Sequence, residues 1–121
     1  MPTLKYEAEL LRGNTDLLLL FLINETRTAY GYQLIKEVAK RSEGYFRFRE
    51  GTVYPALHRL ENEGLIQGEW QELPNGQVRR YYRVTEKGEQ VLIEKMSAWQ
   101  VFTTAVNLVF KQTKAVDYGL G

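Results

Sequence analysis

Seven consecutive apolar residues, Leu17-Leu18-Leu19-Leu20-Phe21-Leu22-Ile23, constrain this sequence more than any other feature. A helix that is apolar on nearly every side belongs at the centre of a core. The run is far too short to cross a bilayer, which needs about 20 residues. Asn14, Thr15 and Asp16 stand ahead of it as capping-type residues, so a helix is expected over about Asn14 to Asn24. A chain of 121 residues is one domain's worth of sequence and can bury such a helix without staples.

The rest of the chain supplies elements to pack around it. Leu4, Ala8 and Leu11 recur at helical spacing and suggest a short N-terminal helix, with Gly13 weakening any join to the next. After the polar stretch Asn24 to Thr28, Ala29 to Ser42 reads as a helix, with Leu34, Ile35, Val38 and Ala39 on its buried face and Gly44 beyond its end. Glu50 to Glu63 reads as a third helix. Pro55 suits a first turn better than an interior, which places the regular start nearer Val53 or Tyr54. Gly64, followed at once by Leu65 and Ile66, is a helix stop. Leu65 to Gln71 and Arg79 to Val84 read as strands joined through Pro74-Asn75-Gly76, a turn sequence, so a β-hairpin is expected. Thr85 caps a long last helix, Glu86 to Lys111, with Gly88 as an imperfection in its first turn. The expected fold is mainly α with a small β-hairpin: a winged helix-turn-helix over residues 1–88, a C-terminal dimerisation helix over 89–113 and a flexible tail over 114–121.

Several chemistries are excluded. There is no cysteine, hence no disulfide, thiol nucleophile or thiolate zinc site. His58 is the single histidine, so no multi-histidine metal site can be built and no cofactor is expected. An enzyme would have to recruit His58 with Glu61 or Glu50, but no nucleophile, phosphate loop or second histidine accompanies them. Met1 to Arg12 has no signal-peptide apolar core, and the expected location is the cytoplasm. Net charge is only +1, so a nucleic-acid partner has to be argued from where the charges sit. Between Lys36 and Arg59 six Lys or Arg face three Glu, and Arg79, Arg80 and Arg83 add to this stripe. A helix fits the DNA major groove and a hairpin tip reaches neighbouring phosphates, so the element order suits double-stranded DNA.

Four blocks carry a resemblance to a known family. They are Leu10-Leu11-Arg12-Gly13, Tyr30-Gly31-Tyr32-Gln33-Leu34, the run from Gly51-Thr52-Val53-Tyr54-Pro55 through Leu60-Glu61, and Arg79-Arg80-Tyr81-Tyr82-Arg83-Val84-Thr85-Glu86-Lys87-Gly88. Together they resemble the PadR family of bacterial transcription regulators, over about residues 10 to 105. The resemblance implies a homodimeric, DNA-binding repressor that responds to a small molecule and dimerises through its C-terminal helix. With a single such helix, the chain is similar to the compact subfamily that includes multidrug-sensing repressors.

Candidate DNA contacts follow from placement on the third helix and the hairpin. Gly51, Thr52, Tyr54 and His58 lie at the start and along one side of the recognition helix. Tyr54 can equally pack in the core, and His58 can equally be a solvated helix residue. Arg59 is a contact or the partner of Glu63 one turn on. Arg49 precedes the helix, and Tyr32 is a phosphate contact or a core aromatic. On the hairpin, Asn75, Gly76 and Gln77 form the tip, with Arg79 and Arg80 on the return strand. Neighbouring strand residues face opposite ways, so at most one of Arg79 and Arg80 points squarely at DNA unless the loop twists, and one of Tyr81 and Tyr82 faces the core.

The last helix carries a second message. Leu92, Met96, Trp99, Thr103, Val106 and Phe110 form a heptad stripe interrupted by Thr103, with Ala98, Phe102, Ala105 and Val109 beside it. The expected dimer interface is therefore Leu92, Met96, Trp99, Phe102, Val106 and Phe110, with Leu4, Ala8 and Leu11 added from the N-terminal segment. Trp99 packs that interface or offers a flat wall to a planar aromatic or drug-like effector, as the resemblance to multidrug-sensing repressors implies, with Met96 and Phe102 as its neighbours. The competing reading is a winged-helix adaptor that binds protein instead of DNA.

Overall fold

The computed structural model describes residues 6–111. In chain order the elements are α1 (Glu7–Leu11), α2 (Thr15–Thr26), β1 (Ala29–Tyr30), α3 (Gly31–Arg41), α4 (Glu50–Asn62), β2 (Ile66–Glu72), β3 (Val78–Val84) and α5 (Glu86–Lys111). The strands form one antiparallel sheet in the order β1-β3-β2. This is the expected mainly helical, winged helix-turn-helix architecture with a long last helix. Leu4 and the expected tail lie outside the described residues.

The apolar run does what its composition requires. Leu19, Leu20 and Ile23 of α2 are fully buried, packed with Leu34 of α3 and with Val53, Leu57 and Leu60 of α4. Ile66 and Tyr82 close this core from the sheet side. Of the tyrosine pair, Tyr82 is the core residue and Tyr81 is half-buried. α4 ends in two nested bonds: Leu65 N–H donates to Leu60 O at 2.9 Å and Gly64 N–H to Glu61 O at 2.9 Å. Gly64 takes φ +75°, the left-handed stop that its sequence position requires. The hairpin loop closes when Gly76 N–H donates to Leu73 O at 2.9 Å, and Gly76 sits at φ +87°.

α2 runs to Thr26, into the polar stretch expected to lie beyond it, and three further details differ from the sequence reading. The segment read as the first turn of the second helix, Ala29–Tyr30, is a short strand, pairing Ala29 with Tyr82 and Tyr30 with Tyr81. α3 therefore begins at Gly31, where Gln33 Oε1 accepts the Tyr30 N–H at 3.3 Å. α4 is helical from Glu50, not from Val53, and carries Pro55 in its interior. The proline removes the N–H that would serve the Gly51 carbonyl, a loss tolerable because both residues are exposed. Finally, Gly88 is a requirement, not an imperfection. A Cβ there would lie 2.0 Å from the Leu65 carbonyl oxygen. Thr85 fixes the same junction, accepting the Gly88 N–H at 3.0 Å and donating to Gly64 O at 2.6 Å.

Candidate nucleic-acid interface

The core-facing side of α4 is Val53, Ala56, Leu57 and Leu60. Helical geometry then fixes its opposite ridge as Gly51, Pro55, His58 and Asn62, and all four are exposed. Gly51 and His58 were singled out from sequence, whereas Pro55 and Asn62 were not. The signal that finds them is the helical period read outward from the core. Thr52 is exposed beside this ridge.

Tyr54 lies beside the ridge, against the start of α3. A Cβ on Gly31 would meet the Tyr54 ring at 2.6 Å, so a glycine at the first residue of α3 lets that ring lie against it. Tyr54 still keeps 40 % of its surface exposed. It both packs and faces solvent, which joins the two readings its sequence position allowed. Tyr32 is exposed, with Lys36 Nζ 5.5 Å from its ring centre.

On the wing, Arg79 and Arg80 occupy opposite faces of β3. Arg79 lays its guanidinium 4.3 Å from the ring centre of Tyr30, immediately before the start of α3. Arg80 turns the other way and pairs with Glu61 of α4, Nη2 to Oε2 at 2.6 Å. Gly76 and Gln77 form the exposed tip, and Gln77 N–H donates to Asn75 Oδ1 at 3.0 Å.

The basic residues thus divide into engaged and unengaged. Arg59 pairs with Asp16 of α2, Nη2 to Oδ1 at 2.9 Å, and not with Glu63. That carboxylate raises the Arg59 pKa above its usual value. Arg41 is held by Glu25 and Glu37, and hydrogen bonding to Arg41 lowers the Glu37 pKa. Among the described residues Arg49, Arg79 and Arg83 enter no ion pair with a carboxylate. Sequence spacing cannot reveal these pairings, because the partners of Arg59 and Arg80 lie 43 and 19 residues away.

α5 forms a separate surface. Of its 26 residues only Gly88 and Leu92 are buried, Leu92 within this chain's own core. Met96 and Val106 are half-buried, while Trp99, Phe102 and Phe110 expose 43 %, 63 % and 54 % of their surface. Trp99 and Phe102 stack at a tilt, with ring centres 6.4 Å apart. Beside them a groove of about 790 Å³ runs between α1, α2 and α5, lined among others by Leu11, Phe21, Phe46, Met96, Trp99 and Phe102. Ala8 is exposed near its α1 side and Leu11 is half-buried. No helix among the described residues is long and apolar enough to cross a membrane, and no group of acidic residues and histidine among them is arranged to hold a metal.

Comparison with known proteins agrees with this geometry. Residues 19–94 match the family described as the Transcriptional regulator PadR-like family. A PadR family transcriptional regulator from Eggerthella lenta superimposes with TM-score 0.77 at 34 % identity, over 88 % of this chain and 90 % of that one. A PadR-like transcriptional regulator from Bacillus cereus gives TM-score 0.74 at 31 % identity, over 88 % and 99 %. A transcriptional regulator of Mycobacterium tuberculosis is 39 % identical over 69 residues, which is 57 % of this chain and 61 % of that protein. Members of this family are regulators and not enzymes. These matches establish that the chain belongs to the PadR-like family of transcriptional regulators.

Proposed function

We propose that the chain is a homodimeric repressor that binds a palindromic operator through α4 and the wing and responds to a planar aromatic or drug-like effector. The observation that carries the dimer is the uncovered apolar face of α5. A helix of 26 residues extends about 39 Å, and most of that length leaves its aromatic side chains to solvent in one chain. A second copy is the simplest cover, since most such contacts are two-fold symmetric. Met96, Trp99, Phe102, Val106 and Phe110 would lie in that contact, with Ala8 and Leu11 at its edge.

The DNA contacts in this reading are Tyr32, Arg49, Gly51, Thr52, Tyr54 and His58, with Gly76, Gln77 and Arg79 from the wing. Unpaired cations and helix starts meet phosphates, while the α4 ridge meets base edges. Two recognition helices in a dimer have to match half-sites about 34–36 Å apart. An effector beside Trp99, Met96 and Phe102 would change that spacing and so favour one conformer over the other. Sedimentation velocity tests the dimer: the expected species has twice the 14.1 kDa chain mass. A monomer at micromolar concentration, with and without a palindromic duplex, would rule the reading out.

A further inference from the structure

The ion pair between Arg80 and Glu61 joins three elements. Arg80 stands on β3 opposite Trp70, and its guanidinium passes over Gly68 of β2 to reach the Glu61 carboxylate on α4. A Cβ on Gly68 would lie 2.6 Å from Arg80 Nε and 2.7 Å from Cζ and Nη2, so the path is open because residue 68 is glycine. The same Glu61 Oε2 accepts the Gly68 backbone N–H at 3.2 Å. The rings of Trp70 and Tyr82 flank the guanidinium, 5.2 Å and 5.7 Å from their centres.

Position along the wing gives this tie its consequence. The hairpin's buried apolar anchors, Ile66 and Tyr82, lie at its base. From Gln67 to Tyr81 no described residue is buried. The outer wing therefore has no apolar core to hold its angle against α4, and the Glu61 bonds connect it there instead.

We propose that Arg80 and Glu61 form a positioning pair that sets the angle of the wing against the recognition helix, so that both meet DNA as one unit, and that Arg80 itself makes no phosphate contact. A charge-assisted bond of this length is among the stronger hydrogen bonds. Moving Arg80 onto a phosphate would leave the half-buried Glu61 carboxylate unpaired, which is costly. The inference rests on the DNA-binding reading above, so its test has an arm without DNA.

In the DNA-free arm, amide hydrogen exchange is measured on the full chain and on Glu61→Ala, which removes the acceptor of the Gly68 N–H. Exchange at the Gly68 N–H should rise about tenfold, the loss of a bond to a charged acceptor. In the DNA arm, duplex from the region upstream of the gene is titrated with the wild-type chain, Glu61→Gln, Arg80→Gln, the double variant and Arg80→Lys. A positioning pair predicts that each single variant binds about tenfold more weakly and that the double variant is no worse than either. Arg80→Lys keeps the charge but lacks the planar fork, and should bind as poorly as Arg80→Gln. A phosphate contact predicts the reverse: Glu61→Gln binds as well as wild type or better, and Arg80→Lys retains its affinity. Either of those results, or an unchanged Gly68 exchange rate, would overturn the proposal. A wild-type chain that binds no DNA would instead overturn the DNA reading on which the proposal rests.

Discussion

Arg59 reaches across from α4 to Asp16 in the first turn of α2, placing Nη2 2.9 Å from Oδ1 and Nε 3.4 Å from Oδ2. The pair lies at the surface, so its contribution to stability is small, under about 1 kcal/mol. In the DNA-binding reading proposed above, it also ties up a cation next to His58 on α4. Asp16→Asn should unfold in urea within about 1 kcal/mol of wild type. It should bind DNA more tightly, with a salt slope steeper by about 0.9, the signature of one new phosphate contact. An unchanged slope would mean that the freed guanidinium does not reach the backbone.

Two glycines separate folding from binding. Gly88 has no room for a side chain, with the Leu65 carbonyl oxygen 2.0 Å from the position a Cβ would take. Gly88→Ala should lose about 1–3 kcal/mol in thermal or urea unfolding through overpacking. Gly51 has open space around that position and lies on the exposed ridge of α4. Gly51→Ala should therefore be as stable as wild type or up to about 1 kcal/mol more so, from helix propensity alone. It should nevertheless weaken DNA binding, because its methyl group enters the contact surface. Undiminished binding by Gly51→Ala would remove this ridge from the interface.

Trp99 lines the groove beside α5 and keeps 43 % of its surface exposed. Titrated with a planar acridine dye, the wild-type chain should show quenching of tryptophan fluorescence. In Trp99→Ala, followed by the dye's own emission, affinity for the dye should fall, while sedimentation should still give the dimer expected above because Phe102, Val106 and Phe110 remain. Equal dye affinity in the variant would contradict the stacking role.

Burial raises the Tyr82 phenol above its ordinary pKa, so the fold favours the neutral form. The unfolded chain loses this proton at about pH 10. The contribution to stability is then complete below about pH 10 and falls as pH rises from there through the higher folded value. Tyr82→Phe has no proton to lose and should show a shallower fall in urea midpoint above about pH 10. Parallel decline of both proteins would assign the alkaline loss to other groups.

The elements most legible in the sequence are those fixed by local chemistry. The all-apolar run of α2, the Gly64 stop of α4 and the Asn75-Gly76 turn each dictate their conformation within a few residues. β1 was not legible, because two residues carry no alternation; only pairing with Tyr81 and Tyr82 makes Ala29–Tyr30 a strand. The start of α4 was misplaced because Pro55 argues locally against a helix that burial of Val53 and Ala56 imposes. For the candidate site, the residue types on α4 and the wing were readable. What was not readable is which arginines are already held, since Asp16 and Glu61 meet Arg59 and Arg80 through the fold alone.

Fluorescence anisotropy of the purified chain on labelled DNA from its own upstream region tests the central claim most directly. Scrambled duplex is the control, at two salt concentrations such as about 50 mM and 200 mM. Tight binding to the upstream duplex is predicted, with much weaker binding to scrambled DNA and a steep loss of affinity with salt. Absence of binding to either duplex at low salt would contradict the claim and make the winged helix a scaffold for a protein partner.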